Sequence, residues 1–366
     1  MSSSSAGPEV RQKPSDMRIF IAIFLALHIP LFVYPVVRLG GWLGLDWMIE
    51  TLIVVPILFS QVISRWWLRG AIQRWLKLVR QVADFILGIS PIVLINLILA
   101  EIGVASGIVQ EVEAAWAVIV VSLIISSLGM FAAIRPMVKR VRLEAKFLRH
   151  PLRVVQVTDV HIGSRSIRFL ENVIVQINYL APDLLCITGD FIDAYGIQEE
   201  DLVSLRQLCC PVYFSIGNHE RYEDLEEISE RLSNLGVIVL RNRAVMYRDD
   251  VQIVGIDDRD DALQVERQLA HIPVAKDSFN LLMYHRPVGI EAASEAGIDL
   301  MLSGHTHNGQ IFPFNLIVKS VFEKIAGLYH YNETWLYVSQ GTGTWGPVMR
   351  VGTRSEITLF EIECVK

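Results

Sequence analysis

Cysteine is scarce in this chain, four in 366 residues. Cys186, Cys209, Cys210 and Cys364 have neither metal-knuckle spacing nor the pattern of a disulfide framework, which argues against a thiolate metal site and for a reducing compartment. Cys186 is expected inside a buried strand, and the adjacent pair Cys209-Cys210 in strand or core. Positive charge is not in excess either: 33 Lys and Arg stand against 39 Asp and Glu, a net charge of −6 with a pI near 5.9. That balance gives no support for a nucleic-acid partner. A phosphate-binding loop opening a helix is also missing. The glycine-rich stretch Gln340-Gly-Thr-Gly-Thr-Trp-Gly346 reads instead as a turn that closes the domain near its site.

Apolar residues are abundant. They make up 52% of the chain, with a mean hydropathy of +0.39, and the excess lies before about residue 135. Residues 1–16 are Ser-rich and polar, a disordered tail by composition. Residues 17–134 then hold four apolar stretches, near 17–37, 47–63, 82–99 and 114–134, each close to the ~20 residues that cross a bilayer core. About four membrane spans are therefore expected. The first lacks a small-residue cleavage site and reads as retained. Few ionisable residues fall within the spans, so nothing suggests a transport path.

Basic residues crowd the N-terminal tail (Arg11, Lys13, Arg18), the second loop (Arg65, Arg69, Arg74, Lys77, Arg80) and the stretch from Arg135 to Arg153. The loops on the other side offer Arg38 among Asp46, Glu101, Glu111 and Glu113. The positive-inside bias then puts both termini, and the domain that follows, in the cytoplasm. Residues 135–150 read as a basic linker. It is either a topogenic flank or a patch holding the domain against anionic headgroups.

Residues 151–366 change pattern. Short apolar runs at Arg153–Val157, Leu184–Thr188, Val212–Ile216, Val237–Leu240, Val251–Ile256, Ser278–Met283, Leu300–Leu302 and Leu336–Ser339 read as strands. Helical spacing appears in Ile167–Ala181, Glu199–Leu208 and Glu223–Leu235. The alternation argues for an α/β domain with buried strands, whose ligand-binding residues gather beyond the strand C-terminal ends.

Polar motifs stand at those ends. Thr158-Asp-Val-His161 puts Asp159 and His161 two apart, so in extended geometry both can grip one ion. Cys186-Ile-Thr-Gly-Asp-Phe-Ile-Asp193 ends a buried run with two carboxylates, costly unless something positive meets them. Ser215-Ile-Gly-Asn-His-Glu-Arg221 offers Asn218 as an oxygen ligand. His219 is too close to Asn218 to be an obvious partner on the same ion and suits a general acid, with Asp193 holding its tautomer. Arg221 is a fork for a phosphoryl group, and Glu220 a cap for the helix starting near Asp224. His285 closes another strand. His305 and His307 alternate in Ser303-Gly-His-Thr-His-Asn-Gly-Gln310. Singly each motif is weak. Five of the nine histidines at strand ends, with Asp159, Asp190 and Asn218, are not coincidence.

Asp159-x-His161, Gly189-Asp190-x-x-Asp193, Gly217-Asn218-His219-Glu220, His285 and Gly304-His305-x-His307 resemble, in order and rough spacing, the motifs of the calcineurin-like metallophosphoesterases. The resemblance covers about Pro151 to Lys366. It implies a sandwich of two mixed sheets flanked by helices with a binuclear metal site. Asp159, His161, Asp190 and His307 would hold one ion, and Asp190, Asn218, His285 and His305 the other. It further implies a metal-bridging hydroxide as nucleophile and His219 as a non-ligand that protonates the leaving group. Two cations about 3.5–4 Å apart suit in-line displacement at phosphorus. The His/Asp/Asn donor set fits Mn²⁺ or Fe, with Zn²⁺ as a further choice.

Within the superfamily the chain most resembles bacterial inner-membrane phosphoesterases, some acting on lipid-linked pyrophosphates such as UDP-diacylglucosamine. Asn308 replaces a more usual Gly. Ala194-Tyr195 stand where phosphoprotein phosphatases carry Arg-Gly, which lowers the prospect of a phosphoprotein substrate. Ile311–Tyr331, rich in apolar residues, is a lid or acyl-chain groove, or more simply packs on the sheet. The expected activity is a phosphodiesterase- or pyrophosphatase-like hydrolysis of a small-molecule or lipid phosphate at the bilayer. The alternative from another class is a membrane sensor or scaffold with a regulatory phosphoesterase domain.

Overall fold

The computed structural model describes residues 28–64 and 74–365. The polar tail 1–16, most of the first apolar stretch and part of the second loop lie outside them. The chain forms two compact units, one of Met1–Arg69 with Ile89–Leu123, the other of Gly70–Gly88 with Ile124–Lys366.

Four apolar helices come first: α1 (Ile29–Leu43), α2 (Trp47–Val62), α3 (Arg74–Ala105) and α4 (Glu111–Ile134). Among the described residues only α3 and α4 are long and apolar enough to cross a membrane, which corrects the expectation of about four spans. Gly44 adopts the left-handed conformation that closes α1, and the Asp46 carboxylate accepts from the Met48 amide to start α2. The described part of α1 has 15 residues and α2 has 16, both short of a bilayer core, and most of the first expected span lies outside the described residues. In the first unit Trp42 packs with Leu97, Ala114, Ala115 and Val118, and Arg38 Nε meets Glu101 Oε1 at 2.7 Å.

The second unit is built on two six-stranded sheets. One has the order β1-β12-β2-β3-β4-β5, from Met137–Ala145 (β1), Leu152–Val157 (β2), Leu184–Thr188 (β3), Val212–Ser215 (β4), Ile238–Val239 (β5) and Glu356–Cys364 (β12). The other has the order β10-β11-β9-β8-β7-β6, from Arg243–Arg248 (β6), Val251–Gly255 (β7), Phe279–Met283 (β8), Leu300–Ser303 (β9), Gly327–Tyr331 (β10) and Thr334–Val338 (β11). Both are mixed: β2 to β5 run parallel, as do β7, β8, β9 and β11, with antiparallel neighbours outside them.

Burial explains the layers. Val154, Leu184, Cys186 and Tyr213 of the first sheet pack against Ile253, Leu281, Met283 and Leu302 of the second. Their alternate residues, such as Val155, Leu185 and Phe214, face α5 (Ile167–Leu180), whose Leu170, Val173, Ile174 and Ile177 recur at helical spacing. Strands buried on both faces read as unbroken apolar runs, which is how they were legible. Two expectations change here. Residues 137–145, read as part of a basic linker, form β1, paired in parallel register with β12 from Met137↔Glu356 to Ala145↔Cys364. Cys209 is exposed and Cys210 half-buried, before β4 rather than in the core; Cys186 is buried in β3.

Candidate metal centre

The motifs lie beyond the ends of five parallel strands, β2, β3 and β4 in one sheet and β8 and β9 in the other. There the chain turns sharply. Asp159, His161, Asp190, His305 and His307 all take positive φ, between 49° and 70°. Non-glycine residues rarely do so, and held cases mark sites where the surroundings over-determine the backbone. The turns are zipped together: the Asp159 amide donates to Gly189 O, His161 N to Asp190 O, and Ile162 N to Phe191 O. Backbone also approaches too closely for any side chain at Gly217, where a Cβ would stand 2.2 Å from Asp190 Oδ1.

Two clusters of ligand atoms result. In the first, His307 Nε2 lies 3.1 Å from His161 Nε2 and 3.3 Å from Asp159 Oδ1. In the second, His285 Nε2 lies 3.0 Å from Asp190 Oδ2 and 3.2 Å from His305 Nδ1. His285 Nε2 is also 4.0 Å from Asp159 Oδ1, so the clusters adjoin. Asn218 Oδ1 is buried and has no hydrogen-bond partner.

The donor set fits cations. His285 Nδ1, 2.8 Å from Thr188 O, donates to it, leaving a lone pair on Nε2 facing a carboxylate oxygen. Burial lowers His305 to about 3 and holds His307 well below the usual imidazole range, so both rings are neutral. Nitrogen lone pairs and carboxylate oxygens converging at about 3 Å repel unless positive charge lies among them. On His285, burial opposes the charged form, but the Asp190 charge outweighs it and pushes the imidazole up to about 10. The pocket thus draws positive charge even without an ion.

The supports differ from residue to residue. The Asp159 carboxylate accepts from Thr158 Oγ1 and the His305 amide; Asp190 Oδ1 accepts from the His219 amide. The Asp193 carboxylate accepts from the Ser164 amide and hydroxyl at 2.9 and 2.6 Å, and its Oδ2 sits 3.2 Å from His161 Nδ1. Its contacts therefore run to His161 rather than directly to His219, although the ligand atoms of all three lie within 4.8 Å of one another. His219 Nε2 is 4.0 Å from Asp190 Oδ2, its ring against His161, Tyr222 and Trp345, and burial lowers it to about 4. Arg221 turns outward: Nη1 donates to Asp258 O at 3.0 Å.

Two residues at the site escaped the sequence reading. Glu220, expected as a helix cap, is fully buried, and its carboxylate accepts from the amides of Asp190, Phe191, Ile192 and Gly217. Burial, with the Asp190 charge beside it, raises it to about 7 against the Ile192 and Gly217 amides. It ties the β3 turn to the β4 turn. Arg350, also buried, donates through Nη1 to His307 O and through Nη2 to the carbonyls of Gln340, Gly341 and Gly343. Nothing around Met349-Arg350-Val351 announces it. The Gln340–Gly346 stretch does lie near the site, with Gly343 N donating to Asp159 O.

Comparison with known proteins bears on this geometry. Residues 152–309 match the family described as Calcineurin-like phosphoesterase. An uncharacterised metallophosphoesterase of Campylobacter jejuni is 34% identical over 239 residues, covering 62% of this chain and 63% of that protein. A transmembrane protein with metallophosphoesterase domain from Danio rerio is 31% identical over 292 residues, 71% of this chain and 64% of that protein. An uncharacterised metallophosphoesterase of Aquifex aeolicus is 30% identical over 230 residues, 58% of this chain and 85% of that protein. The matched stretch thus spans a little under two thirds of the first two relatives and most of the third.

Proposed function

The chain belongs to the calcineurin-like metallophosphoesterases, and on that premise we propose that it is a membrane-anchored, two-metal hydrolase of lipid-linked phosphate esters or pyrophosphates. The observation that carries the reading is the convergence of Asp159, His161 and His307 beside Asp190, His285 and His305, with the orphaned Asn218 oxygen nearby. In the proposal Asp159, His161, His307 and Asp190 would hold one ion, and Asp190, Asn218, His285 and His305 the other. Mn²⁺ or Fe suits the imidazole and oxygen donors, with Zn²⁺ a further choice. When bound, such a pair neutralises phosphoryl charge and activates water for in-line displacement.

The remaining roles belong to the protein. Thr188 O and Asp193 fix the rings of His285 and His161, and Glu220 holds the Asp190 turn. His219, kept neutral by burial, would take up a proton only against the negative charge of a bound phosphate, and would then pass that proton to the leaving oxygen. Arg221 is within the same turn but engaged with Asp258, so its service to a phosphoryl group requires exchange of that contact.

Membrane anchoring through α3 and α4 is supported by their length and apolarity, and by the transmembrane relative. Lys77 and Arg80 near the start of α3 and Arg135, Lys139 and Arg140 after α4, against Glu111 and Glu113 between them, favour a cytoplasmic catalytic unit at a bacterial inner membrane. A lipid-linked substrate is favoured by the helix Phe314–Val321. It buries no residue, exposes Leu316, Ile317 and Val321, and leads to Phe322, whose ring lies 5.4 Å from that of His305. Of the two readings of Ile311–Tyr331, an apolar surface beside the site thus gains over simple packing.

Hydrolysis of bis-p-nitrophenyl phosphate by the full chain, chelated and then resupplied with Mn²⁺, tests the metal reading. Turnover that ignores both steps would sink it. His219→Ala is expected to slow esters with poor leaving groups far more than the nitrophenyl ester; equal losses exclude the general-acid role.

A further inference from the structure

A groove of about 660 Å³ lies within the second unit, away from the ligand clusters. One wall is the last part of α4, where Ile125 and Leu128 line it, Leu128 being 65% exposed. Lys139 of β1 and Arg354, before β12, line it as well; both are exposed, and neither takes part in an ion pair among the described residues. The floor holds Gln340 and the buried Arg350, whose Nε has no hydrogen-bond partner. The carboxylate in the wall, Glu356, is already engaged: it accepts from Tyr337 Oη, Gln340 N and Gln340 Nε2. Apolar helix surface on one side and unpaired cations on the other complement a molecule that is greasy along its length and anionic at one end.

We propose that this groove binds an anionic membrane lipid, its headgroup phosphate against Lys139 and Arg354 and an acyl chain along Ile125 and Leu128. The position matters because of the floor. Arg350 joins α4 to the site: its amide donates to Gly129 O, while its guanidinium holds His307 O and the Gln340–Gly343 carbonyls. Gln340 Oε1 accepts from Asn308, next to His307. The packing is close, since a Cβ on Gly129 would stand 2.8 Å from Val351 Cγ2 and one on Gly88 of α3 3.0 Å from Pro347. An occupant braced on this floor stiffens the mount of His307, so the same lipid raises hydrolytic turnover. That effect rests on the reading of the site given above; the binding does not.

Native mass spectrometry of the full chain in detergent, with phosphatidylglycerol or phosphatidylcholine of equal chain length, measures the binding. The wild type is expected to retain phosphatidylglycerol about 30-fold better, the gain from two basic contacts near a lipid phosphate. Lys139→Gln/Arg354→Gln is expected to lose the preference, and Lys139→Arg/Arg354→Lys to keep it. Equal retention of both lipids by the wild type, a preference that survives the Gln pair, or displacement by glycerol phosphate at matched concentration would overturn the site. In nanodiscs, the ratio of bis-p-nitrophenyl phosphate turnover with and without phosphatidylglycerol is expected to exceed one for the wild type and fall to one in the Gln pair. A wild-type ratio of one overturns the coupling. Absent turnover in every lipid, with lipid retention intact, instead counts against the hydrolase reading.

Discussion

The two ligand clusters sit side by side yet are mounted differently. Around Asp159, His161 and His307 the supports are side chains as well as backbone: Asp193 on His161, Thr158 and the His305 amide on Asp159, Arg350 on His307. Around Asp190, Asn218, His285 and His305 they are mostly backbone: Thr188 O on His285, the His219 amide on Asp190, and four amides gathered by Glu220. One cluster therefore depends on the identity of several neighbours. The other depends on the path of the chain, with Glu220 as its single side-chain clasp.

Substitutions can break that contrast. Asp190→Asn touches both clusters and is expected to remove metal-dependent hydrolysis by more than about 100-fold, beyond the 10–100-fold typical of outer supports; activity near wild type would refute the bridging role. Glu220→Gln replaces an acceptor of four amides with a group that presents an N–H to some of them. It is expected to cost about 2–3 kcal/mol of stability in the catalytic unit. Hydrogen exchange checks this, with faster exchange expected at Asp190, Phe191, Ile192 and Gly217 and not at His161.

Asp193→Asn is expected to weaken one of two metal-binding steps by about 10–100-fold and leave the other unchanged, read by calorimetric titration. If Asp193 instead orients His219, both steps persist and only substrates with poor leaving groups suffer. Thr188→Ala is the smallest change. The backbone carbonyl that holds His285 remains, so metal affinity is expected to stay within about twofold, while the lost bond from Gln156 to Thr188 Oγ1 costs about 1 kcal/mol. A clear drop in affinity would mean that the second cluster also depends on its side chains.

The same contrast sets what the sequence reveals. Asp159, Asp190, Asn218 and the histidines were legible because each follows an apolar run and pairs a polar group with glycine or another ligand type. The buried parallel strands were legible for the same reason. Edge strands β1, β6 and β10 were not, since half-exposed residues such as those of Met137–Ala145 carry charges that look like a linker, and neither was the central β12, whose apolar run is broken by Glu356, Glu361 and Glu363. Glu220 and Arg350 act on backbone far away in sequence, and no local pattern encodes such partners. The count of spans changed because the stretch expected over 47–63 forms a helix of 16 residues, short of a bilayer core, while most of the first stretch lies outside the described residues.

The pairing of β1 with β12 has a consequence in time. A strand that begins three residues beyond Ile134 must wait for residues 356–364, more than 200 positions later, before its hydrogen bonds exist. Contacts so distant along the chain are slow to form, and until they do β2 presents an unpaired edge to the same partner. Until then the first sheet is open on one side, and chaperone occupancy of nascent chains truncated before residue 356 is where that delay becomes visible.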